Sequence, residues 1–133
     1  MSDDRGSMLP MVGGLIFAAL IVLGLAADVA VYAATYRDAA FAADAGAEAG
    51  AAMLAPAASY EGDLTLAPDT AVDVAVSAAR AARPRPGRSV SAVPEPGRIC
   101  VTITQSHVTR FVQALGIGPT AIVVTGCAEP RQG

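Results

Sequence analysis

Few side chains in this sequence are of the types that carry metal or nucleophilic chemistry. The chain of 133 residues has one histidine, His107, and two cysteines, Cys100 and Cys127. A structural zinc ion needs four nitrogen or sulfur ligands, which these three residues cannot supply. A lone histidine also gives no pattern from which a Ser/His/Asp triad can be argued. We interpret His107 as a surface or capping residue at the start of a short helix, and we expect no metal and no cofactor.

The carboxylates of the C-terminal half could be paired on paper as a general acid and a general base. A working pair needs one carboxyl group that stays protonated near neutral pH, and both groups must reach the same substrate. The sequence around these residues indicates neither, and no glycine-rich phosphate loop follows a predicted strand. We therefore expect a protein that is not an enzyme. The carboxylates considered are Asp63, Asp69, Asp73, Glu95 and Glu129.

The two cysteines fit opposite each other in a predicted antiparallel strand pair. The strands are Arg98 to Gln105 and Thr120 to Cys127, and both alternate between apolar and polar residues over most of their length. Side chains alternate between the two faces of a sheet, so a single register assigns every residue to a face. In the register considered, Cys100 faces Cys127, Thr102 faces Thr125, Ile103 faces Val124 and Gln105 faces Ile122.

This register separates the apolar residues from the cysteines. It places the cysteines and threonines on one face, with Val123 as the apolar exception, and it predicts a Cys100–Cys127 disulfide. Closing a loop of this length stabilises a small domain by about 3–4 kcal/mol in the chain-entropy model. The alternative is two buried thiols that never meet. The apolar face then consists of Ile99, Val101, Ile103, Ile122 and Val124.

The longest element that must position these strands lies at the N-terminal end. Residues Met8 to Ala27 are twenty uncharged residues, and at about 1.5 Å each a helix of this length matches the hydrocarbon thickness of a bilayer. Backbone groups in lipid must bond to one another, which requires a helix. Because no proline interrupts the chain from Asp28 to Leu54, we predict one continuous rod that ends before Pro56. Residues 8–27 would form a transmembrane helix and residues 28–55 an alanine-rich stalk outside the membrane.

The N-terminal end resembles a retained anchor more than a secretory signal peptide. Residues 1–7 form a short cytoplasmic tail or leader that contains Asp3 and Asp4, whereas a signal peptide begins with basic residues and has a shorter apolar core. Cleavage after Ala26 is the alternative. The cysteine pair and the acidic residues of the stalk favour a cytoplasmic N-terminus and an extracytoplasmic C-terminal part. The formal charge of −3 does not argue for a nucleic-acid partner.

Small residues along the rod favour close helix packing. Twelve alanines lie between positions 39 and 58, where they support a helix but bury little area each. The spacings Gly46-xxx-Gly50 and, within the span, Gly14-xxx-Ala18 let another backbone approach closely. We predict that the rod packs against related helices or under the C-terminal part, and an ordinary exposed helix is the alternative.

The rod also resembles a known family. The motif RGSMLP precedes a long apolar run, which is followed by Asp28, Tyr32 and Arg37. Asp44 comes next, within the segment AADAGAEAGA. This pattern is similar to that of the TadE/TadG group. These are the pilin-like assembly proteins of tight-adherence (Flp) type IV pili. The resemblance covers about residues 5–52, with a looser match in the strand-rich end. It implies a membrane-anchored accessory or minor pilin whose partners are other pilin-like proteins and membrane lipid. The four residues would set the register of the rod and mark its exit from lipid.

The resemblance also identifies a candidate processing site. In TadE-type members a prepilin peptidase cleaves after a glycine, and a glutamate follows at the fifth mature position. Gly6 matches the glycine, whereas Met11 stands where the glutamate would be. This departure brings the chain nearer to the TadG-type members.

Residues 59–133 are predicted to form a small α+β head. A helix begins at Thr70, with Asp73 completing a capping box, and its face of Val72, Ala75, Val76 and Ala79 is apolar. The helix ends near Arg83, and residues 60–67 are left open as strand or loop. Strands follow at 89–93, 98–105 and 120–127, with a short helix between the last two that Ser106 caps and Gly116 ends. Val108, Phe111, Val112 and Leu115 form the apolar face of that helix. The fold class is therefore α+β, with a long N-terminal helix and one or two helices on a short antiparallel sheet.

A cluster of arginines surrounds the proline-rich turn of the head and supports a second hypothesis. In this alternative the protein is a signal-anchored extracytoplasmic module that binds an anionic envelope component and is unrelated to pili. The simpler interpretation is a solvated loop beside an acidic rod. The arginines are Arg80, Arg83, Arg85, Arg88 and Arg98.

Overall fold

The protein has the predicted α+β fold. The computed structural model describes residues 8–53, 66–114 and 116–131. Gly6, Pro56, the side chain of Leu115 and most of the 60–67 segment lie outside the described residues. The elements in chain order are α1 (Met8–Ala51), α2 (Pro68–Ala82), β1 (Arg88–Glu95), β2 (Arg98–His107), α3 (Arg110–Ala114) and β3 (Thr120–Ala128).

Helix α1 is the continuous rod that the sequence predicts. It has 44 residues, which corresponds to about 66 Å at the usual rise per residue. It is long and apolar enough to cross a membrane and is consistent with a single-pass membrane anchor. The helix ends at Ala51, where the amide of Met53 turns back to donate to the carbonyl of Gly50.

The second half of α1 belongs to the core of the head. Its buried alanines pack against α2 and the sheet, so the predicted division into a stalk at 28–55 and a head at 59–133 does not correspond to two separate bodies. Of the interpretations offered for the alanine-rich half, packing under the head is the one observed. The buried residues of this half are Ala39, Ala42, Ala43, Ala47 and Ala51.

The three strands form one antiparallel sheet in the order β1-β2-β3. The predicted register is confirmed, with Cys100 opposite Cys127, and the strands extend beyond their predicted bounds by three, two and one residues for β1, β2 and β3. The apolar face packs against α1 and α2, while the face with the cysteines and threonines points outward. The buried sheet residues on the inner face are Ile99, Val101, Ile103, Ile122 and Val124, as predicted.

Helix α2 begins earlier than predicted, and its buried face overlaps the predicted one only at Ala75 and Ala79. Its first turn contains Pro68, and the N-cap is Ala67 without a side-chain hydrogen bond, so the predicted capping role of Thr70 is wrong. Proline suits the first turn because its missing N–H would have no helical partner there. The fully buried residues are Ala71, Ala75 and Ala79, and the valines of the predicted face are only half-buried. The smallest side chains face α1, which lets the two helices come close.

Helix α3 is shorter than predicted because β2 continues past its predicted end. Ser106 lies in the strand opposite Ala121, so its predicted capping role is wrong. The helix ends as expected near Gly116, which adopts a φ of 86°. This left-handed conformation is one that glycine adopts without steric cost.

Candidate functional site

Asp28 of α1 caps α3, from which it is separated by most of the chain. Its Oδ1 accepts a hydrogen bond from the amide of Arg110 at 3.2 Å. Its Oδ2 accepts hydrogen bonds from the amides of Phe111 and Val112 at 2.8 and 2.9 Å. The first amides of a helix have no carbonyl partners within it, and a negative charge there is favourable. The carboxylate therefore fixes α3 of the head to the rod at Asp28.

One turn further along α1, Tyr32 contacts His107 at the end of β2. The ring centroids are 5.6 Å apart and the planes meet at 77°, an edge-to-face arrangement. His107 is only 7% exposed, so the prediction of a surface or capping histidine is wrong. Among the described residues, its Nε2 has no hydrogen-bond partner. The histidine therefore packs as a buried ring between the rod and the sheet.

Phe111 brings α3 against α1 at Gly24. A Cβ atom at Gly24 would lie 2.5 Å from the ring of Phe111, so only glycine allows this approach. Between the two helices lies an open cavity of about 410 Å³ whose walls are mostly apolar. We call this contact region the α1–α3 junction and define it by Gly24, Asp28, Tyr32, His107 and Phe111.

On the N-terminal side of the junction, the described residues of the head leave α1 almost entirely uncovered. From Pro10 to Leu23 all side chains are exposed except that of Ile21, which is partly covered. Gly14, the first residue of the predicted Gly14-xxx-Ala18 seam, has no atom of another element within 4 Å of its Cβ position. The seam is therefore open to a neighbouring helix. The exposed large apolar residues of this stretch are Met11, Val12, Leu15, Ile16, Phe17, Leu20, Val22 and Leu23.

The second pair of glycines, Gly46 and Gly50, is already occupied within the chain. A Cβ atom at Gly46 would lie 2.7 Å from the carbonyl oxygen of Ala75 and 2.7 Å from the Cβ of Ala79. One at Gly50 would lie 2.8 Å from the Cβ of Ala75. This seam therefore serves the packing of α1 on α2.

The structure separates the four residues predicted to set the register of the rod. Asp28 and Tyr32 belong to the α1–α3 junction. Asp44 is exposed beside β3, where a Cβ atom at Gly126 would lie 2.5 Å from its Oδ1. Arg37 is exposed on α1. Two of the four thus hold the head to the rod, which the sequence did not indicate because their partners are distant in the chain.

The arginine-rich turn is fastened to α1 and to the sheet. Arg85 forms an ion pair with Asp38 of α1. The guanidinium of Arg83 lies 5.2 Å from the ring centroid of Phe41, within the range of a cation–π contact. These two contacts hold the turn against the second half of α1.

The remaining arginine contacts are on the sheet side. Arg88 donates two hydrogen bonds, of 3.1 and 2.9 Å, to Oε1 of Gln105. Burial, together with the positive charge of Arg85, lowers the pKa of Arg88, and the carboxylate of Asp38 opposes the shift. Arg98 pairs with Glu95 at 2.6 Å. Four of the five clustered arginines therefore contact groups of the chain itself.

The outer face of the sheet carries the disulfide between Cys100 and Cys127. Next to it, the hydroxyls of Thr102 and Thr125 are 2.9 Å apart and share a hydrogen bond. Cross-strand pairs of this kind contribute to the stability of a sheet on its solvent-facing side. The covalent link joins the two strands at the end of the sheet farthest from the α1–α3 junction.

The described residues include no cluster of three or more His, Cys, Asp or Glu side chains that could hold a metal ion. The candidate site consists of the surfaces and contacts along α1 described above. No family model, curated protein or solved structure matches the chain. The relation to the TadE/TadG group stays a prediction that depends on the residues of the rod.

Proposed function

We propose that this protein is a single-pass, membrane-anchored, pilin-like subunit that takes part in assembling or anchoring a tight-adherence (Flp) type IV pilus. The N-terminus would be cytoplasmic and the head extracytoplasmic. The observation that carries the proposal is the division of α1. Its second half contributes to the core of the head, whereas its first part, Pro10 to Leu23 (the uncovered half), is almost entirely exposed among the residues that the structure describes.

The uncovered half needs an apolar environment, and two environments are suitable. Lipid covers it while the subunit is in the membrane, and the helices of other subunits would cover it in an assembly. Full burial of one large apolar side chain is worth about 1.5–3 kcal/mol, and each of those on this stretch except Ile21 is more than half exposed, so either environment is strongly preferred to solvent. A subunit with this helix can exchange lipid for neighbouring helices without refolding.

The contacts between α1 and the head make such an exchange useful for assembly. Asp28 holds α3, the glycine seam holds α2, and Arg85 holds the intervening turn. Because the head is fastened along the whole second half of α1, packing of the first halves would set the spacing of the heads. This gives the resemblance to pilin-like proteins a physical basis.

The arginine contacts bear on the alternative, a module that binds an anionic envelope component. Such a module needs cationic groups that can turn towards a ligand. Arg83, Arg85, Arg88 and Arg98 each contact a group of the chain. An anionic ligand would have to compete with these contacts for four of the five arginines, and we therefore prefer the pilin-like function.

Deletion of the gene in its native host tests this proposal. We expect surface fibres, counted by electron microscopy, to disappear and to return with the unaltered gene. Normal piliation in the deletion strain would refute the proposal.

Two substitutions in the uncovered half refine the test. Gly14→Leu should fail to restore fibres because it fills the open small-residue seam. Gly13→Leu is the matched control, since neither glycine has a neighbouring atom of another element within 4 Å of its Cβ position, and we expect both variants to fold. Equal restoration by the two variants would exclude this seam from the assembly mechanism.

A further inference from the structure

We propose that the head also rests on the membrane surface through a second contact, a lipid patch formed by Val108, Arg110, Phe111 and Ile117. The partner is the headgroup and upper acyl region of the leaflet from which α1 emerges. The inference depends on membrane anchorage by α1 and does not depend on a role in pili.

The position of α3 along α1 gives the first argument. The uncharged run of α1 ends at Ala27, and Phe111 contacts α1 at Gly24. Three residues of helix correspond to about 4.5 Å, so the ring lies slightly below the level at which the uncharged run ends. If that run fills the hydrocarbon layer, α3 lies at the boundary between hydrocarbon and headgroups.

The capping of α3 makes this position favourable. Free backbone amides at the edge of the hydrocarbon layer would be costly because little water is there to bond them. The amides of Arg110, Phe111 and Val112 all donate to Asp28. The same bonds occupy the first charged side chain after the uncharged run, so the amides that begin α3 and the carboxylate of Asp28 satisfy one another within the protein.

The exposed side chains of the patch suit lipid. Val108 and Ile117 are 49% and 55% exposed, although both are large and apolar. The cavity beside Val108 is mostly apolar and is lined by Val31, Phe111 and Ala114 among others. Lipid chains could cover these side chains and fill the cavity, and the patch is continuous with the uncovered half of α1.

Charged and aromatic residues are placed as membrane interfaces require. Arg110 has a long side chain that can keep its apolar stem in the interface and direct its charge to lipid phosphates. Tyr32 lies about 7.5 Å beyond Ala27 along the helix, at the depth where tyrosine is enriched in membrane proteins. The acidic residues Asp38, Asp44 and Glu48 lie farther from the boundary.

A tryptophan-quenching experiment tests the patch directly, because the chain contains no tryptophan. The full-length variants Val108→Trp and Ile117→Trp are reconstituted into phosphatidylcholine–phosphatidylglycerol vesicles that carry bromine on the upper acyl carbons. The control is Val93→Trp, which is also an exposed position at 56%. It pairs with Cys100 at the far end of the sheet. Neighbouring Ile99 contacts α1 near Gly50, about 35 Å beyond Ala27 along the helix.

We expect bromolipid to quench the tryptophans at positions 108 and 117 several-fold more strongly than the one at position 93. All three variants should retain the disulfide, which verifies folding. Quenching at 108 and 117 that is as weak as at 93 would overturn the proposal. A blue-shifted emission at these positions without quenching would also overturn it, because it would place the patch against another protein copy.

Discussion

Replacement of Asp28 by alanine should release α3 from the rod while leaving the rest of the head folded. The carboxylate accepts all three hydrogen bonds at the start of a helix that has only five residues. Isolated helices shorter than about 12 residues are marginal in water, so α3 has no stability of its own to replace these bonds. None of its residues is fully buried, and the core formed by α1, α2 and the sheet does not depend on it.

The magnitude follows from the three bonds to Asp28. Loss of an N-cap side chain costs about 0.5–2 kcal/mol, and a hydrogen bond to a charged group is worth about 1.5–3 kcal/mol. Because the three bonds share one carboxylate, they do not add, and we expect the free energy of α3 opening to fall by about 2–4 kcal/mol. Asp28→Asn keeps one acceptor oxygen without the charge and should lose about half as much.

Amide hydrogen exchange on the full-length protein in lipid nanodiscs measures this loss. We expect exchange at Arg110, Phe111 and Val112 to accelerate by about 30-fold or more, since each 1.4 kcal/mol is a factor of ten. The amide of Gln113, which donates to the carbonyl of Thr109, should follow because the helix unravels. Asp73→Ala is the matched control, as this aspartate is exposed on α2.

Slow exchange of the three amides in Asp28→Ala would refute the reasoning. It would show that side-chain packing of α3, and not the carboxylate, holds this end of the head to the rod. Accelerated exchange throughout the sheet would also contradict it, because the effect should stay local.

Three further predictions concern stability, each measured by chemical denaturation of the detergent-solubilised protein. Gly46→Ala should destabilise the head by about 1–3 kcal/mol despite better helix propensity, because the added Cβ would meet the backbone oxygen of Ala75 at 2.7 Å, whereas Gly13→Ala should not. Cys100→Ser with Cys127→Ser should cost about 3–4 kcal/mol and make the head sensitive to protease, and equal stability of this variant would show that the chain-entropy argument fails. Arg85→Gln should cost no more than about 1 kcal/mol because the ion pair with Asp38 is solvent-exposed, and a larger loss would mean that the turn is more rigidly fastened than its exposure suggests.

The elements with a strong local pattern were predictable from the sequence. The rod follows from an uncharged run and the absence of proline, and the sheet register follows from strand alternation together with the position of two cysteines. A shift of one residue would have sent Ile99 and Ile103 to the outer face, so only one register satisfied both conditions. These inferences need no information about distant contacts.

The errors occurred where a distant residue replaces a local one. Ser106 is a typical N-cap residue, yet Asp28 caps α3 from 82 residues away, and Ser106 extends the strand instead. We predicted a surface or capping role for His107 because none of its neighbours in the sequence indicates the contact with Tyr32. The Gly46-xxx-Gly50 spacing correctly indicated close packing. The spacing does not show, however, whether the packed partner is another chain or α2 of the same chain.

The most direct test of the central claim, that α1 stays attached to the head and anchors it, is the intact mass of the mature protein purified from the membrane fraction. We predict the mass of a chain that begins at Met1 or, after processing at Gly6, at Ser7, since both retain the whole of α1. A mass that corresponds to a start at Ala27 would contradict the account, because that protein would have lost its uncovered helical half and its means of membrane anchorage.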